Sequence, residues 1–359
     1  MKVLGIHHIT LVSANAQRTV DFYVKVLGQR LVKQTVNFDD PSAYHLYFGD
    51  RTGRPGTAIT FFEWANAGRH RHGIGGTHHF ALRVADYNGL LKWKRRLTDL
   101  GIAVHGPFDR NYFCSIYFCD PDGVNIEIAT DRPGFTVDEA PELLGTLFQT
   151  PPSSMMKGAA EYDALATETW QDPIEQITPD MALMNGMHHI TAISSDLERT
   201  HAFYSGLLGM RRVKMTANFE DETSQHWYWG VDDGQPGTLI TYFQRDPKNT
   251  QRAQVGVGMT HHFALAVQDE AEQTEWRKKL TDAGYRVSPI MDRDYFRSIY
   301  TNDPDGHIVE LATLQPGFAI DEDESEMGSK LQLPLTLRPH RSQIERGLKP
   351  LVVPAWSET

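Results

Sequence analysis

The 359-residue sequence contains only two cysteines, Cys114 and Cys119, so a framework of several disulfide bonds is excluded. It also lacks any stretch close to the roughly 20 consecutive apolar residues that a membrane-spanning helix requires. The first ten residues, MKVLGIHHIT, contain no apolar run typical of a signal peptide. These absences predict a reduced, cytoplasmic protein that does not bind a membrane.

Positive charge is also scarce. The chain has 35 Lys and Arg against 46 Asp and Glu, which gives a net charge of −11. A surface that binds nucleic-acid phosphates needs the opposite sign, so we expect no nucleic-acid partner. A hydrophobic content of 40% with 23% charged residues is typical of a globular protein. The length fits two domains better than one.

The chain is a tandem duplication. GIHHIT, which begins at Gly5, is repeated as GMHHIT from Gly186, and the long stretch that begins at Asp109 matches another that begins at Asp292. A segment rich in Pro, Ser, Met and acidic residues separates the two copies. The sequence therefore predicts a first domain at 1–150, a linker with one short helix at 151–180, a second domain at 181–320 and an extended C-terminal tail at 321–359.

Each copy divides again into two modules with the same order of elements. In the second module, HHFALRV alternates like a strand, and YNGLLKWKRRLTDLG has helical spacing. That helix carries Leu90, Trp93, Leu97 and Leu100 on one predicted face. SIYFC and VNIEIAT follow as strands joined by a DPDG turn. The unit is βαβββ, and its four occurrences predict an α+β fold.

The alternation of side chains across a strand indicates which residues face the concave side of the sheet. In HHITLV, His7 shares a face with the apolar Ile9 and Leu11, which predicts that it points towards the helix. His8 shares the opposite face with Thr10. The same parity selects the following concave residues: His8, His79 and Glu127 in the first copy, and His189, His262 and Glu310 in the second.

Two histidines and one carboxylate form the facial triad, which leaves three coordination positions open on a metal and suits non-haem Fe(II). A single His-His pair in a strand is more often structural. Four such doublets favour metal binding, because the last strand of each copy also carries a glutamate. The spacing alone allows a site within one copy or a site shared between the copies.

The combined motifs resemble those of the vicinal oxygen chelate superfamily, and within it the dioxygenases that cleave the rings of hydroquinones and catechols. The resemblance rests on GIHHIT, LVKQTVNFDDPSAYHLYFGD, EIATDRPGF and GFAIDEDE, and it covers nearly the whole chain apart from the linker. It implies four βαβββ modules that pair into two curved mixed sheets with concave metal sites. It also implies an extradiol-type dioxygenase that uses Fe(II), or Mn(II), and takes a small aromatic substrate and O₂.

The resemblance further implies that each site joins the two copies, with His8, His262 and Glu310 in one and His189, His79 and Glu127 in the other. It assigns supporting roles around the metal to His7, Thr10, His261, Arg293 and Tyr300, and in the duplicate to His188, Thr191, His78, Arg110 and Tyr117. A tyrosine or histidine there can move a substrate hydroxyl proton, and an arginine can stabilise oxyanion charge. For Arg110 and Arg293, a surface salt bridge is the competing interpretation.

Two other functions stay open. A glyoxalase-type isomerase of the same superfamily has a fourth ligand, a carboxylate on the last strand of the first module. We expect that inward position near Ile59 or Ile240, and neither is acidic; the nearby Glu63 has Gln244 as its counterpart. A protein that sequesters aromatic compounds or drugs without turnover is the third interpretation. Apolar strand edges leave self-association into a homo-oligomer open.

Overall fold

The computed structural model describes residues 1–38, 40–183 and 185–356. Its strands, in chain order, are β1 Ile6–Ser13, β2 Arg30–Asn37, β3 Asp40–Gly49, β4 Ala58–Glu63, β5 Thr77–Val84, β6 His105–Asp109, β7 Phe113–Cys119, β8 Asn125–Pro133, β9 Phe148–Gln149, β10 Met187–Ser194, β11 Arg211–Asn218, β12 Asp221–Gly230, β13 Leu239–Gln244, β14 Thr260–Val267, β15 Met291–Asp292, β16 Arg297–Asn302 and β17 Ile308–Thr313. Met184 and the last three residues of the predicted tail, 357–359, lie outside the described residues.

The helices are short except for one in the second module of each copy. They are α1 Ala16–Val20, α2 Tyr87–Asp99, α3 Ala160–Leu165, α4 Leu197–His201, α5 Glu270–Asp282 and α6 Arg341–Gly347. Helices α1 and α4 continue as π-helical turns, Asp21–Val26 and Ala202–Leu207. Single 3₁₀ turns occupy Phe135–Val137, Pro141–Leu143, Ser153–Met155, Pro179–Met181, Phe318–Ile320, Glu324–Glu326 and Arg338–His340.

The strands form two curved mixed sheets, so the predicted α+β architecture of four βαβββ modules is confirmed. One sheet has the order β15-β16-β17-β14-β1-β4-β3-β2, and the other has the order β6-β7-β8-β5-β10-β13-β12-β11-β9. Each sheet therefore contains one module from each copy: the first pairs with the fourth, and the second pairs with the third.

The central strands bring the histidine doublets of different copies side by side. Strand β1 pairs antiparallel with β14 and parallel with β4, and β14 pairs parallel with β17. In this register Thr10 stands opposite His262. The second sheet repeats the arrangement with β10, β5, β13 and β8, where Thr191 stands opposite His79. Both concavities are thus built from residues that are far apart in the sequence.

Helix α2 covers the convex side of its sheet. Its N-terminus is capped by Asp86, whose side chain accepts a hydrogen bond from Gly89 N. Leu90, Trp93 and Leu97 are fully buried, as the helical spacing predicts. The prediction for Leu100 is wrong: this residue caps the C-terminus, where the chain leaves the helix, and its side chain is 51% exposed.

The segments between and after the two copies pack on the sheets. Just before the linker, β9 adds a short parallel strand to β11. Within the linker, α3 is the only α-helix among the described residues. The expectation of an extended tail is wrong in one part, because α6 forms there and buries Ile344. The tail is held by fully buried Lys33, which forms ion pairs with Asp321, at 2.6 Å, and with Glu322. Across the described part of the chain, no helix is long and apolar enough to cross a membrane.

Candidate metal centre

The first triad lies in the concavity of the sheet that contains β1, β14 and β17. One residue comes from each strand: His8, His262 and Glu310. The Oε2 atom of Glu310 lies 3.3 Å from His8 Nε2 and 3.0 Å from His262 Nε2. All three donor atoms fall within 4.8 Å of one another, and all three side chains are buried. The crossed arrangement brings these groups together, whereas the within-copy alternative of His8, His79 and Glu127 is not found.

The second triad repeats this geometry in the other sheet. It consists of His79 from β5, Glu127 from β8 and His189 from β10. Glu127 Oε2 lies 2.8 Å from His79 Nε2 and 3.1 Å from His189 Nε2, and the two histidine nitrogens are 3.2 Å apart. The chain thus places two complete sets of two imidazoles and one carboxylate in equivalent positions.

The carboxylates provide the test of whether these groups fit a metal. Oε2 of Glu310 and both oxygens of Glu127 are buried without an aligned hydrogen bond to any residue in the described ranges. Oε2 of each glutamate instead lies within 3.3 Å of both imidazole nitrogens of its triad. Leaving such oxygens unsatisfied in the interior is costly. A cation bound between the three donors removes that cost, so the residues present fit a divalent metal.

The charge state of the triads also suits a cation. Burial acts to raise the pKa of Glu310, but His8 and His262 outweigh it and hold the pKa well below its usual range. The same balance, with His189 and His79, holds the pKa of Glu127 well below its usual range. Burial lowers the pKa of His79 and of His262. Each site therefore offers an anionic carboxylate among imidazoles that bind metals in their neutral form.

Each histidine doublet contains a β-bulge, in which one of the two histidines is an extra residue in the strand pairing. Strand β1 places Ile6 opposite Leu265 and His8 opposite Ala264, so His7 is an extra residue in the pairing. The other doublets follow the same rule, and their extra residues are His78, His188 and His261. A bulge re-aims the side chain of the extra residue. Each doublet therefore places one histidine in a triad and a second histidine beside it.

The prediction that His7 points towards the helix is wrong for this reason. The ring of His7 lies 5.0 Å from the ring of Phe296, and the ring of His8 lies 5.1 Å from the same phenylalanine. Both histidines are thus on one side of the sheet. The alternation of side chains cannot reveal this, because it holds only where the strand pairing is uninterrupted.

A chain of hydrogen bonds fixes which nitrogen of His8 carries the proton. His7 Nε2 lies 3.1 Å from the carbonyl oxygen of Thr313, which can only accept, so His7 Nε2 carries a hydrogen. Burial lowers the pKa of His7 to about 3, so the ring is neutral and its Nδ1 accepts. The donor to that atom is His8 Nδ1, at 2.9 Å. The lone pair of His8 is then on Nε2, which faces Glu310.

Replacing His7 by phenylalanine should weaken metal binding at the Glu310 triad about 10- to 100-fold, because the acceptor that orients His8 is lost. His188, whose Nδ1 lies 2.9 Å from His189 Nδ1, is the matched control. His188→Phe should weaken the Glu127 triad and leave the Glu310 triad unaffected. Competitive titration with a chelator in anaerobic solution measures both affinities. Equal losses at both triads in each variant would contradict the assignment.

Each triad opens into a cavity, with a volume of about 390 Å³ at Glu310 and about 690 Å³ at Glu127. His261 and His78, the extra residues of the later doublets, line these cavities, whereas His7 and His188 do not. Their Nδ1 atoms each lie 2.8 Å from Nδ1 of the adjacent triad histidine. The bulges thus bring His261 and His78 to the pocket side, although regular strand alternation predicts that they lie on the opposite face.

The predicted arginine and tyrosine pairs also line the cavities. Arg293 Nε donates to the hydroxyl of Tyr300 at 3.2 Å, and the Tyr300 ring lies 5.6 Å from that of His262. In the duplicate, the guanidinium of Arg110 lies 5.7 Å from the ring of Tyr117 and donates to Glu220 at 2.8 Å. Arg110 is only 7% exposed, so it is not the surface salt bridge of the competing interpretation.

Sequence reasoning missed a histidine–tyrosine pair in each cavity. His45 Nε2 lies 3.0 Å from the hydroxyl oxygen of Thr60, and its Nδ1 lies 3.0 Å from the hydroxyl of Tyr47. Thr60 is in turn 2.8 Å from the hydroxyl of Thr10, the predicted supporting residue. In the second sheet the same chain consists of Tyr228, His226, Thr241 and Thr191. The repetition of His-x-Tyr at 45 and 226 is the signal that could have revealed it.

A scan against protein-family models matches residues 5–128 and 186–311 to the Glyoxalase/Bleomycin resistance protein/Dioxygenase superfamily. The chain belongs to this superfamily. It is 35% identical over 356 residues to MhqO of Bacillus subtilis, which is provisionally named a ring-cleaving dioxygenase, with 98% of each chain covered. A chlorohydroquinone/hydroquinone 1,2-dioxygenase of Sphingobium indicum is 28% identical, also with 98% of each chain covered. A crystal structure described as a provisional dioxygenase, from Bacillus subtilis, has a TM-score of 0.79, 33% identity and coverage of 98% of this chain and 99% of its own.

The glyoxalase-type alternative would need a fourth donor, a carboxylate, at the inward position of β4 or β13. We expected that position near Ile59 and Ile240, and both of these residues are themselves buried in the apolar core. The inward residues on those strands are Thr60 and Thr241, which face Thr10 and Thr191. Glu63 points elsewhere and accepts a hydrogen bond from Ala16 N. The fourth position is therefore a threonine in both copies, and each triad offers three donors without a fourth carboxylate.

Proposed function

We propose that the protein is an Fe(II)-dependent, extradiol-type dioxygenase that opens the ring of hydroquinone- or catechol-type aromatics, with Mn(II) as the alternative metal. The observation that carries the proposal is a three-donor set of two histidines and one glutamate that opens into an aromatic-lined cavity. His8, His262 and Glu310 would hold one ion, and His79, His189 and Glu127 the other. The names of the full-length relatives from Bacillus subtilis and Sphingobium indicum support the same reaction class.

When bound in such a triad, Fe(II) supplies redox electrons and three coordination positions for a substrate oxygen and O₂. The overall reaction adds both atoms of one O₂ to the ring-opened product and breaks one carbon–carbon bond next to a hydroxylated carbon. Four electrons come from the substrate, so no external reductant is needed. The chain therefore has to bind the ring, stabilise the deprotonated hydroxyl oxygen and exclude water.

The aromatic walls of the Glu310 cavity bind and orient the ring. Phe62, Phe296 and Tyr47 line this cavity together with the triad. Phenylalanine and tyrosine side chains present flat apolar surfaces on which an aromatic ring stacks. The equivalent walls of the Glu127 cavity are Phe243, Phe113 and Tyr228. The ring is thus held above the open side of the triad, away from bulk water.

Tyr300 and His261 are the groups that donate hydrogen bonds to the substrate oxygen. Burial raises the pKa of Tyr300 above its ordinary value, so its phenol keeps its proton and donates hydrogen bonds. If His262 Nε2 faces the metal, its Nδ1 carries the hydrogen and donates to His261 Nδ1. His261 Nε2–H is then a donor within the cavity, and it hydrogen-bonds to the substrate oxygen after the hydroxyl proton has left to solvent. Tyr117 and His78 have these roles in the duplicate.

Arg293 and Arg110 stabilise negative charge on the substrate oxygen. Arg110 Nη1 is buried and makes no aligned hydrogen bond to any described residue. An unpaired guanidinium nitrogen beside the triad is suited to an oxyanion that forms when the hydroxyl is deprotonated. Arg293 lies in the equivalent place, next to Tyr300.

Oxygen consumption tests the proposal. Protein loaded anaerobically with Fe(II) should take up about one O₂ per hydroquinone, and metal-free protein should take up none. Isomerisation of a thiol adduct in place of O₂ uptake would favour the glyoxalase-type alternative. Tight binding of the aromatic by metal-free protein, without turnover, would favour the sequestering protein. Thr60 and Thr241 at the fourth-ligand position favour the dioxygenase over the first alternative, and the two complete triads favour it over the second.

A further inference from the structure

The two cavities share their triads and aromatic walls but differ in charge. The duplication makes Arg245 the counterpart of Trp64, and Asn125 the counterpart of Ile308. All four side chains line the cavities, with the arginine and the asparagine at Glu127 and the tryptophan and the isoleucine at Glu310. The Glu127 cavity is thus larger and polar at two positions where the Glu310 cavity is apolar.

Trp64 extends the apolar wall of the Glu310 cavity. Its ring is parallel to that of Phe62 within 5° at a centroid distance of 6.2 Å, and it meets His261 edge-on at 5.5 Å. An indole in this place presents a flat surface to the substrate and has no positive charge. Ile308 adds a second apolar contact, so a charged ring substituent would lose its hydration at this wall, where neither Trp64 nor Ile308 can pair with it.

Arg245 occupies the same place in the Glu127 cavity. Its guanidinium carbon lies 5.7 Å from the centre of the Phe243 ring, the counterpart of Phe62. Nη1 donates to Gln244 O at 3.0 Å and to the hydroxyl of Ser224. No carboxylate of the described residues forms an ion pair within 4.0 Å of Arg245. A guanidinium oriented in this way retains donors for an anion in the cavity.

Three acidic residues line this cavity, and two of them have other partners. Glu220 pairs with Arg110 at 2.8 Å. Asp221 lies at the rim, where its carboxylate accepts hydrogen bonds from the amide and the hydroxyl of Thr223, at 3.2 and 2.6 Å. Lys157, from the linker, also lines the cavity. Asp163 is the third, and none of the three carboxylates forms an ion pair within 4.0 Å of Arg245, so its guanidinium can still pair with an anionic substrate.

We propose that the two cavities select different substrates: the Glu127 cavity takes hydroquinones that carry a ring carboxylate, which Arg245 binds, and the Glu310 cavity takes uncharged hydroquinones, which Trp64 and Ile308 contact. This inference rests on the proposed dioxygenase function. A single chain then acts on both a charged and an uncharged member of one aromatic class.

Single-site variants separate the two cavities in the full-length, metal-loaded protein. Glu310→Gln leaves the Glu127 site, and Glu127→Gln leaves the Glu310 site. The probes are 2,5-dihydroxybenzoate and methylhydroquinone, and the measured quantity is the ratio of their kcat/KM values. We expect the ratio to favour 2,5-dihydroxybenzoate about 10- to 100-fold more in Glu310→Gln than in Glu127→Gln. This is about the effect on binding of one charge-assisted pair of hydrogen bonds. Arg245→Leu in the Glu310→Gln background should remove this preference, and Arg245→Lys should restore part of it.

Calorimetric binding without O₂ gives a readout that does not depend on turnover. Anaerobic titration of the metal-loaded protein with 2,5-dihydroxybenzoate should show about 10-fold weaker binding in Arg245→Leu, whereas Trp64→Leu should affect methylhydroquinone instead. Equal ratios in the two single-site variants, or a Glu310→Gln variant inactive with both probes, would overturn the selectivity. Wild-type protein that cleaves neither probe would instead refute the proposed function itself.

Discussion

Replacing Glu310 by glutamine is expected to remove metal from one triad and to leave the other filled. The amide retains the shape of the side chain but loses the negative charge, and its NH₂ group would face His8 and His262. Loss of a residue that only orients a ligand weakens metal binding about 10- to 100-fold, so loss of the anionic ligand itself should exceed about 100-fold. Glu127→Gln should have the same effect on the other triad.

Anaerobic Fe(II) titration of the wild type, the two single variants and the double variant measures this prediction. We expect about two equivalents per chain for the wild type, one for each single variant and none for the double variant. Glu63→Gln is the matched control, because Glu63 bonds to Ala16 N outside the triads and should not alter the stoichiometry. A double variant that still binds two ions tightly would show that these carboxylates are not the ligands.

Cleaving the chain between its copies is expected to leave both metal sites intact, whereas either half alone should hold none. Each triad takes strands from both copies, since β1 pairs with β14 and β10 pairs with β5. A protease site inserted in the exposed stretch near Glu168 would cut the chain without touching either sheet. The two fragments should remain associated through both sheets and retain about two metal ions.

The separated halves provide the complementary test. A fragment that ends near Pro151 lacks His189, His262 and Glu310, so as a monomer it cannot complete either set. Mixing it with a fragment that begins near Asp180 should restore metal binding, which ultracentrifugation with metal analysis measures. An N-terminal fragment that is monomeric and binds iron with three protein ligands would contradict the crossed arrangement.

The triads could be predicted because three independent regularities coincide. The duplication is visible in repeated sequence stretches, and the strands show alternating apolar and polar residues. The glutamates at 127 and 310 are predicted on the same face of the sheet as His8 and His79. The crossed pairing could not be derived in this way. Which modules share a sheet depends on long-range strand pairing, and spacing within one copy carries no information on that. The resemblance implied the pairing, and the register of β1 with β14 shows it.

Two of the errors, at His7 and at Leu100, arise from local backbone irregularity. His7 was placed on the wrong face because a bulge adds one residue to the ladder, and nothing in HHIT distinguishes a bulged pair from a regular one. Leu100 fits helical spacing but falls at the cap, where the apolar face has ended. Helix α6 was missed because the prolines of the tail suggested an extended path. The network of His45 and His226 was missed because each histidine lies in an otherwise aromatic strand.

Ring opening by O₂ is tested most directly by isotopic labelling. Iron-loaded wild-type protein and the Glu127→Gln/Glu310→Gln double variant would each be given hydroquinone under ¹⁸O₂, and the products reduced at once to prevent exchange of aldehyde oxygen with water. Mass spectrometry should find both labelled oxygen atoms in a ring-opened product of the wild type and no such product with the double variant. A wild-type product whose ring is intact, such as a benzoquinone, or a ring-opened product with unlabelled oxygen, would contradict a dioxygenase at these two triads.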